Sequence, residues 1–337
     1  MITDMKFSTL LFPFVALALV SGCGKKTPPG DASAADSAAL TRIKFQTDWF
    51  PQPEHGGYYQ ALAKGFYREE GLDVEILPGG PNAQVMTGVA TGRAQIGMTN
   101  GDDVIVAVSR GVPLKMVAAE MQRDAQGILY HKSNPVRDLR DLNGKTIMAG
   151  AGSVWIQLVQ QKYGIKFNLL PLVGDLARFM NDEKFVQQCF VTNEPFFARQ
   201  RGAKVGALLI AHPGYEAYRV MFTSDEFLRQ HPEVVRKFVR ASIRGWIDYL
   251  GGDPAPANAL LQRRRSDLPD EFFAFSIQAM KDYRLVLGDP QRGEKMGQLT
   301  PARLETQLKL LRELQVTERD LRVEDVATFE FLPADAK

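Results

Sequence analysis

Four short stretches carry side chains suited to holding a small molecule, and each stands where a strand pattern gives way to a helix pattern. The first runs from Asp48 through Trp49, Phe50, Pro51, Gln52 and Pro53 to His55 and Gly56. Trp49 offers a rigid aromatic face on which a flat heterocycle gains ~1–3 kcal/mol, by analogy with bases stacked on aromatics; its rival role is a hydrophobic plug. Gln52 supplies an amide, and His55 an imidazole able to donate or accept near neutral pH, or to cap the helix that follows. Tyr58 and Tyr59 are helix neighbours pointing in different directions, so at most one faces a ligand, and Tyr58 is the preferred one. The second stretch, Thr99-Asn100-Gly101-Asp102-Asp103, brings hydroxyl, amide, carboxylate and backbone N–H groups to one corner. Either aspartate there serves a ligand or the helix dipole. The third, Ala149-Gly150-Ala151-Gly152-Ser153, ends at Ser153, a contact or a cap, with Trp155 beyond it able to stack or to pack. The fourth, Thr192-Asn193-Glu194-Pro195-Phe196-Phe197, sets the Glu194 carboxylate before a proline and Phe197 beyond it. Glu194 either accepts paired N–H bonds from a ligand or closes a hinge salt bridge.

These corners need strands that end and helices that begin beside them, because free helix N–H groups and the positive dipole end then face the ligand. The pattern supplies both. Apolar runs predict strands over 43–46, 72–76, 92–98, 114–119, 127–130, 145–148, 167–173, 186–192, 205–211 and 219–222. Helical patterns lie between them, at 83–91 behind an Asn82 cap, 104–109, 154–163 and 176–181. Alternation of this kind, punctuated by glycine, is the signature of βα units. After Ser224 amphipathic helices take over, at 224–231, 232–250, 256–264, 269–286 and 301–314. Leu304, Leu308, Leu311 and Leu314 share one face of the last and predict a core stripe.

With 337 residues the chain is expected to form two lobes rather than one core. Lys and Arg number 41 against 39 Asp and Glu, which gives no electrostatic reason for a nucleic-acid partner. No Gly-Lys-Ser/Thr follows Gly79-Gly80, and no Gly-x-Ser-x-Gly elbow occurs, so neither a nucleotide phosphate loop nor a serine hydrolase is supported. Cys189 lies in an apolar strand as a small buried residue, and with Cys23 far away neither a disulfide framework nor a cysteine metal site is expected. At the start, Lys6 precedes an apolar run from Leu10 to Val20, long enough for a signal peptide and short for a membrane span. Leu19-Val20-Ser21-Gly22-Cys23 resembles the bacterial lipobox, which implies cleavage of residues 1–22 and lipidation of Cys23. Residues 23–41 then read as a flexible tether, so the expected product is exported and held at a membrane by acyl chains.

Several segments together resemble one family. They are Asp48-Trp49-Phe50-Pro51 with His55-Gly56, the run Ala63-Lys64-Gly65-Phe66-Tyr67-Arg68-Glu69-Glu70-Gly71-Leu72, Gly92-Arg93-Ala94-Gln95-Ile96-Gly97, Leu142-Asn143-Gly144-Lys145 and Thr192-Asn193-Glu194-Pro195. All are similar to the ABC-transporter solute-binding proteins of the thiamine-pyrimidine-precursor, nitrate, taurine and alkanesulfonate group. The resemblance implies the type II periplasmic-binding fold, two α/β lobes that are each a mixed sheet flanked by helices, with a helical C-terminal extension. On this chain it implies lobe one at 42–130 plus 219–337 and lobe two at 131–218. A small ligand would lie in the cleft, and closure would present the protein to an ABC permease of the inner membrane.

Within the group, Trp-Phe-Pro, His-Gly and Asn-Glu-Pro are most similar to the branch that binds formylaminopyrimidine-type precursors, which implies a flat N-heterocycle and an aminopyrimidine edge facing Glu194. Gln52 stands where that branch usually carries Asn and offers the same amide one methylene farther out. A sulfonate, taurine, nitrate or riboflavin-like ligand is the alternative on the same scaffold. Pyrimidine synthases also look similar around Trp-x-Pro, but they use a Lys, a His and a Cys-rich cluster, whereas Cys189 alone remains here after lipidation. The expectation is therefore a monomeric binding protein without enzymatic activity, cofactor or metal.

Overall fold

The structure, a computed structural model, describes residues 39–332 except 81–82, 151, 174 and 213–214. The expected signal peptide, Cys23, the tether up to residue 38 and the Asn82 cap lie outside the described residues, while Thr41, expected as the end of the tether, already belongs to a strand.

The chain opens with Thr41–Gln46 (β1), which buries Ile43 and Phe45 and turns Arg42 and Lys44 outward with the period of two that a half-buried strand requires. Gly56–Ala63 (α1), Phe66–Glu69 (α2), Leu72–Leu77 (β2), Val85–Ala90 (α3), Ile96–Asn100 (β3), Gly101–Ser109 (α4) and Leu114–Met121 (β4) follow. The expected strand at 92–98 starts late because Gly92, at φ 76°, still closes the preceding helical turn. Next come Gln126–His131 (β5), Thr146–Ala149 (β6), Val154–Tyr163 (α5), Asn168–Pro171 (β7), Ala177–Asn181 (α6), Val186–Phe190 (β8), Glu194–Gln200 (α7) and Val205–Leu209 (β9). Arg219–Ser224 (β10) precedes the helices Asp225–Gln230 (α8), Pro232–Gly251 (α9), Ala255–Arg264 (α10), Asp270–Asp282 (α11), Pro301–Glu313 (α12) and Val323–Val326 (α13).

Two five-stranded mixed sheets result, in the orders β2-β1-β3-β10-β4 and β7-β6-β8-β5-β9. The expected two-lobed α/β architecture is thus present, and both sheets follow one plan. β1 pairs in parallel with β2 and β3, and β6 with β7 and β8. The fourth strand of each sheet, β10 or β5, runs antiparallel to both its neighbours. Each reversed strand is the one that enters its sheet directly from a crossing, at 210–218 or 122–125. The boundary expected after residue 130 therefore falls too late, since β5 hydrogen-bonds to β8 and β9 of the second sheet. A strand pattern reports that a segment is extended; it does not report its partner.

The C-terminal helices complete the first lobe. α9 packs on α1 and α2, and α12 and α13 pack on α4. Leu304, Leu311 and Leu314 are buried and Leu308 partly so, as the stripe predicted. The approach of α1 to α9 is close: a Cβ on Gly57 would lie 2.2 Å from Trp246 Cγ, and one on Gly245 2.2 Å from the Gly57 carbonyl oxygen. Bare backbone at these places lets two helices touch at a distance side chains forbid. The segment between α11 and α12 braces both crossings. Arg123 pairs with Glu294 at 2.9 Å, Gln122 Nε2 donates to the carbonyls of Lys295 and Gln298 at 2.9 and 2.8 Å, and Arg292 Nη2 donates to the Glu216 carboxylate at 2.8 Å. No described helix is long and apolar enough to cross a membrane.

Candidate functional site

Parallel strands end where the two sheets face each other, and the loops that follow β1, β3, β6 and β8 surround a cavity of about 230 Å³. Trp49, Gln52, Thr99, Asn100, Asp102, Ser153, Trp155 and Glu194 line it, so the four stretches singled out by sequence meet there. Trp49 and Gln52 come from the loop after β1. Ser153 stands at the N-cap of α5, where its hydroxyl donates to the Gly150 carbonyl at 2.9 Å rather than accepting from the helix. Trp155 is buried and stacks beside Phe167 with centroids 6.3 Å apart, so it packs and lines the cavity at once.

Three expected contacts lie elsewhere. Tyr58 is in the core, its ring 4.4 Å from that of Phe45 and 5.9 Å from that of Trp246, because α1 turns this face onto α9. Phe197 packs on Phe272 at 4.9 Å, one turn too far along α7 to face the cavity. His55 is buried behind the wall, with Nε2 3.6 Å from Asp48 Oδ1, and its side chain makes no capping bond. It touches the site through Asp48.

The reversed strands contribute residues that sequence reasoning passed over. Arg219, the first residue of β10, lies in register with Asn100, the last of β3. Gln126, the first of β5, lies in register with Phe190, the last of β8. A strand that runs backward brings its first residue to the end where its neighbours finish, so both line the cavity with Asp48, Asp103, Gln188, Asn193 and Tyr215. Arg219 is the one basic residue among the described residues lining it. Its guanidinium hydrogen-bonds to Asp48, lies 3.6 Å from the fully buried Glu120 carboxylate and rests over the Phe190 ring at 5.3 Å. Burial would lower the Arg219 pKa, but Asp48, Glu120 and Asp124 outweigh it and hold the charge. Burial would likewise raise Asp48, yet Arg219 and His55 bring its carboxyl down to about 2. That pair cancels within itself.

The other carboxyls lack a paired cation, although Arg219 acts on Asp103 through space. Burial pushes Asp102 up to about 7, against hydrogen bonds from Tyr215 at 2.9 Å and from Gln307. Burial and the nearby Asp124 raise Asp103 to about 6. Burial raises Glu194 to about 7, although its Oε2 accepts the Phe190 N–H at 2.7 Å. Some lining residues also carry buried polar atoms without hydrogen-bond partners: Asn100 Oδ1 and Gln126 Oε1 are acceptors, and Trp155 Nε1 is a donor. Gln188 uses its carbonyl oxygen on the Gly150 N–H at 3.1 Å, which leaves its amide N–H groups as a further donor. Carboxyl and amide side chains thus make up most of the polar lining.

A family profile described as NMT1/THI5 like matches residues 52–257, more than half of the chain. The chain belongs to the NMT1/THI5-like family. Among its relatives, this NMT1/THI5-like protein is 28% identical to the riboflavin-binding protein RibY of Chloroflexus aurantiacus, over 83% of this chain and 80% of that one. It is 29% identical to a 4-amino-5-hydroxymethyl-2-methylpyrimidine phosphate synthase of Saccharomyces cerevisiae, over 64% of this chain and 69% of the synthase. It is 22% identical to the formylaminopyrimidine-binding protein of Halalkalibacterium halodurans, over 76% of this chain and 79% of the relative. The alkanesulfonate-binding protein SsuA of Xanthomonas axonopodis pv. citri, bound to MOPS, superposes with a TM-score of 0.64 at 16% identity, covering 88% of this chain and 100% of that one. The fold is that of the ABC-type periplasmic solute-binding proteins, as the sequence segments implied.

Proposed function

We propose that the chain is the solute-binding protein of an ABC importer and that it takes a small, flat, nitrogen-containing heterocycle, a thiamine-pyrimidine precursor such as hydroxymethylpyrimidine or formylaminopyrimidine. Cys23 would carry the acyl anchor, the folded part would stand outside the inner membrane as a monomer, and lobe closure over the ligand would be read by the permease. The observation that carries this reading is the polarity of the cavity. Four carboxyl side chains line it, Asp48, Asp102, Asp103 and Glu194, and the one cation among the described lining residues, Arg219, is already paired with Asp48. An oxyanion would meet like charge there, whereas exocyclic N–H groups would meet Asp103 and Glu194.

The similarity to a riboflavin-binding protein favours a second reading, a flavin ring in the same cleft. The likeness to a synthase is set against Cys189, which is buried, with its thiol pushed well up by burial, and stands apart from Cys23 in sequence. Calorimetry with hydroxymethylpyrimidine and formylaminopyrimidine, beside taurine, nitrate and riboflavin, tests the assignment. Heat from a pyrimidine alone is expected; heat from taurine or nitrate with none from either pyrimidine overturns it.

A further inference from the structure

We propose that Thr192, a buried residue outside the cavity lining, ties Glu194 to the first lobe, so that the Glu194 carboxylate stays with the first-lobe wall when the lobes part and receives the ligand before Ser153 and Trp155 close over it. This rests on the cleft being the binding site proposed above. By strand order Glu194 follows β8 and belongs to the second lobe. By attachment it belongs to the first. The Thr192 hydroxyl donates to the Glu54 carboxylate in the turn Pro53–His55, and the Thr192 carbonyl accepts from Ser276 of α11 at 2.7 Å, so the first lobe grips this residue on two sides. All three side chains are buried. Asn193 Nδ2 donates to Gln52 Oε1 at 2.8 Å, and the Phe196 ring lies 5.4 Å from that of Phe272 and 5.6 Å from that of Phe275. On the other flank the Val191 N–H donates to the Ala125 carbonyl of the first crossing at 2.9 Å, which places this corner beside the hinge. Glu194 is held to the corner in turn, since its Oε2 accepts the Phe190 N–H at 2.7 Å.

The opposite wall of the second lobe has no such tie. Gln188 holds the Gly150 N–H, the Gly150 carbonyl holds the Ser153 hydroxyl, and Trp155 stacks beside Phe167, all within that lobe. Among the described residues no hydrogen bond, ion pair or ring contact joins residues 150–155 to the first lobe. Parting the lobes at the corner would strip a buried hydroxyl, a carbonyl and a carboxylate of their partners, whereas parting them at α5 breaks no polar contact. Rotation about the crossings therefore leaves the corner docked and swings the α5 wall, and the corner limits how far the lobes part. Thr192 acts as a positioning residue, and capture precedes closure.

Stopped-flow binding of hydroxymethylpyrimidine, followed by tryptophan fluorescence, separates capture, read from the initial slope of rate against concentration, from closure, read from the plateau. Thr192→Val keeps the side-chain shape and removes the hydroxyl; the slope is expected to fall about fivefold with the plateau unchanged, and Thr192→Ser should restore it. A merely structural role would lower Tm and leave the slope in place, and an unchanged slope or an equal fall in slope and plateau overturns the proposal. Should Thr192→Val fail to fold, Ser276→Ala removes the bond on the other side and is read in the same way. Spin-label distances in the unliganded protein provide a second measurement. The pair Gln200→Cys with Gln278→Cys, across α7 and α11, is expected to give one narrow distance, and the pair Gln157→Cys with Thr87→Cys, across α5 and α3, a broad or double one. Any other pattern overturns the claim. If hydroxymethylpyrimidine does not bind the unaltered protein, the proposed ligand class fails and the spin-label distances alone decide the role of the corner.

Discussion

The charge state of the cavity is set residue by residue. Asp102, Asp103 and Glu194 have carboxyls raised to about 7, 6 and 7, so each holds a proton over part of the neutral range. A ligand that donates N–H bonds favours their ionised forms. Its binding is expected to release protons near neutral pH and to weaken as the solution is acidified toward about pH 5; titration calorimetry in buffers of different ionisation enthalpy counts those protons. Stability of the free protein follows the opposite sign. A carboxyl with a raised folded pKa binds protons more readily folded than unfolded, so stability falls as pH rises through that pKa, and Tm is expected to be lower at about pH 8 than at about pH 5. Asp48, held at about 2, contributes the reverse slope, lost only as pH falls from about 4 to about 2. A second expectation concerns Tyr58, whose ring lies wholly in the core. Tyr58→Phe should leave ligand affinity unchanged and shift stability by no more than ~1 kcal/mol in denaturant unfolding.

At the scale of elements, the sequence revealed the corners and concealed the directions. Trp49, Asn100, Ser153 and Glu194 were legible because a strand end followed by a helix start is a local pattern. Arg219 and Gln126 occupy equally local positions at strand starts, but they matter only because β10 and β5 run antiparallel, and pairing is decided by segments far away in the chain. His55, Tyr58 and Phe197 were misplaced for a related reason: which face of a short helix meets the cavity depends on what covers its other side, here α9 for α1 and α11 for α7. The fit of α1 on α9 makes a direct expectation. Gly57→Ala drives a methyl group into Trp246 and should cost ~1–3 kcal/mol in denaturant unfolding, without any change in charge.

Across the whole molecule, the two lobes meet through the packing of Phe196 and Phe197 on Phe272 and through polar contacts near the cavity. Asn193 Nδ2 donates to Gln52 Oε1 at 2.8 Å, Thr192 hydrogen-bonds to Glu54, and Ser276 donates to the Thr192 carbonyl at 2.7 Å. Gln52, expected as a ligand contact, therefore also joins the lobes. Gln52→Asn draws the amide back by one methylene and breaks the reach to Asn193. Loss of one such bond, ~1 kcal/mol, should weaken ligand binding about fivefold, and small-angle scattering should show a larger open population without ligand.

The reversed strands also impose an order on the chain's birth. The second sheet draws on residues 146–209 and on β5 just before them, so its strands are all available once residue 209 has left the ribosome. The first sheet has a gap between β3 and β4 that β10 must fill, and its covering helices arrive later still. β3 and β4 must wait about a hundred residues for the strand that joins them, a long-range closure of the kind that slows folding and leaves apolar edges open. Pulse-labelled hydrogen exchange during refolding should find β6 and β8 protected before β3 and β4. A chain whose first-made sheet cannot close early keeps the facing edges of β3 and β4 unpaired until β10 is made.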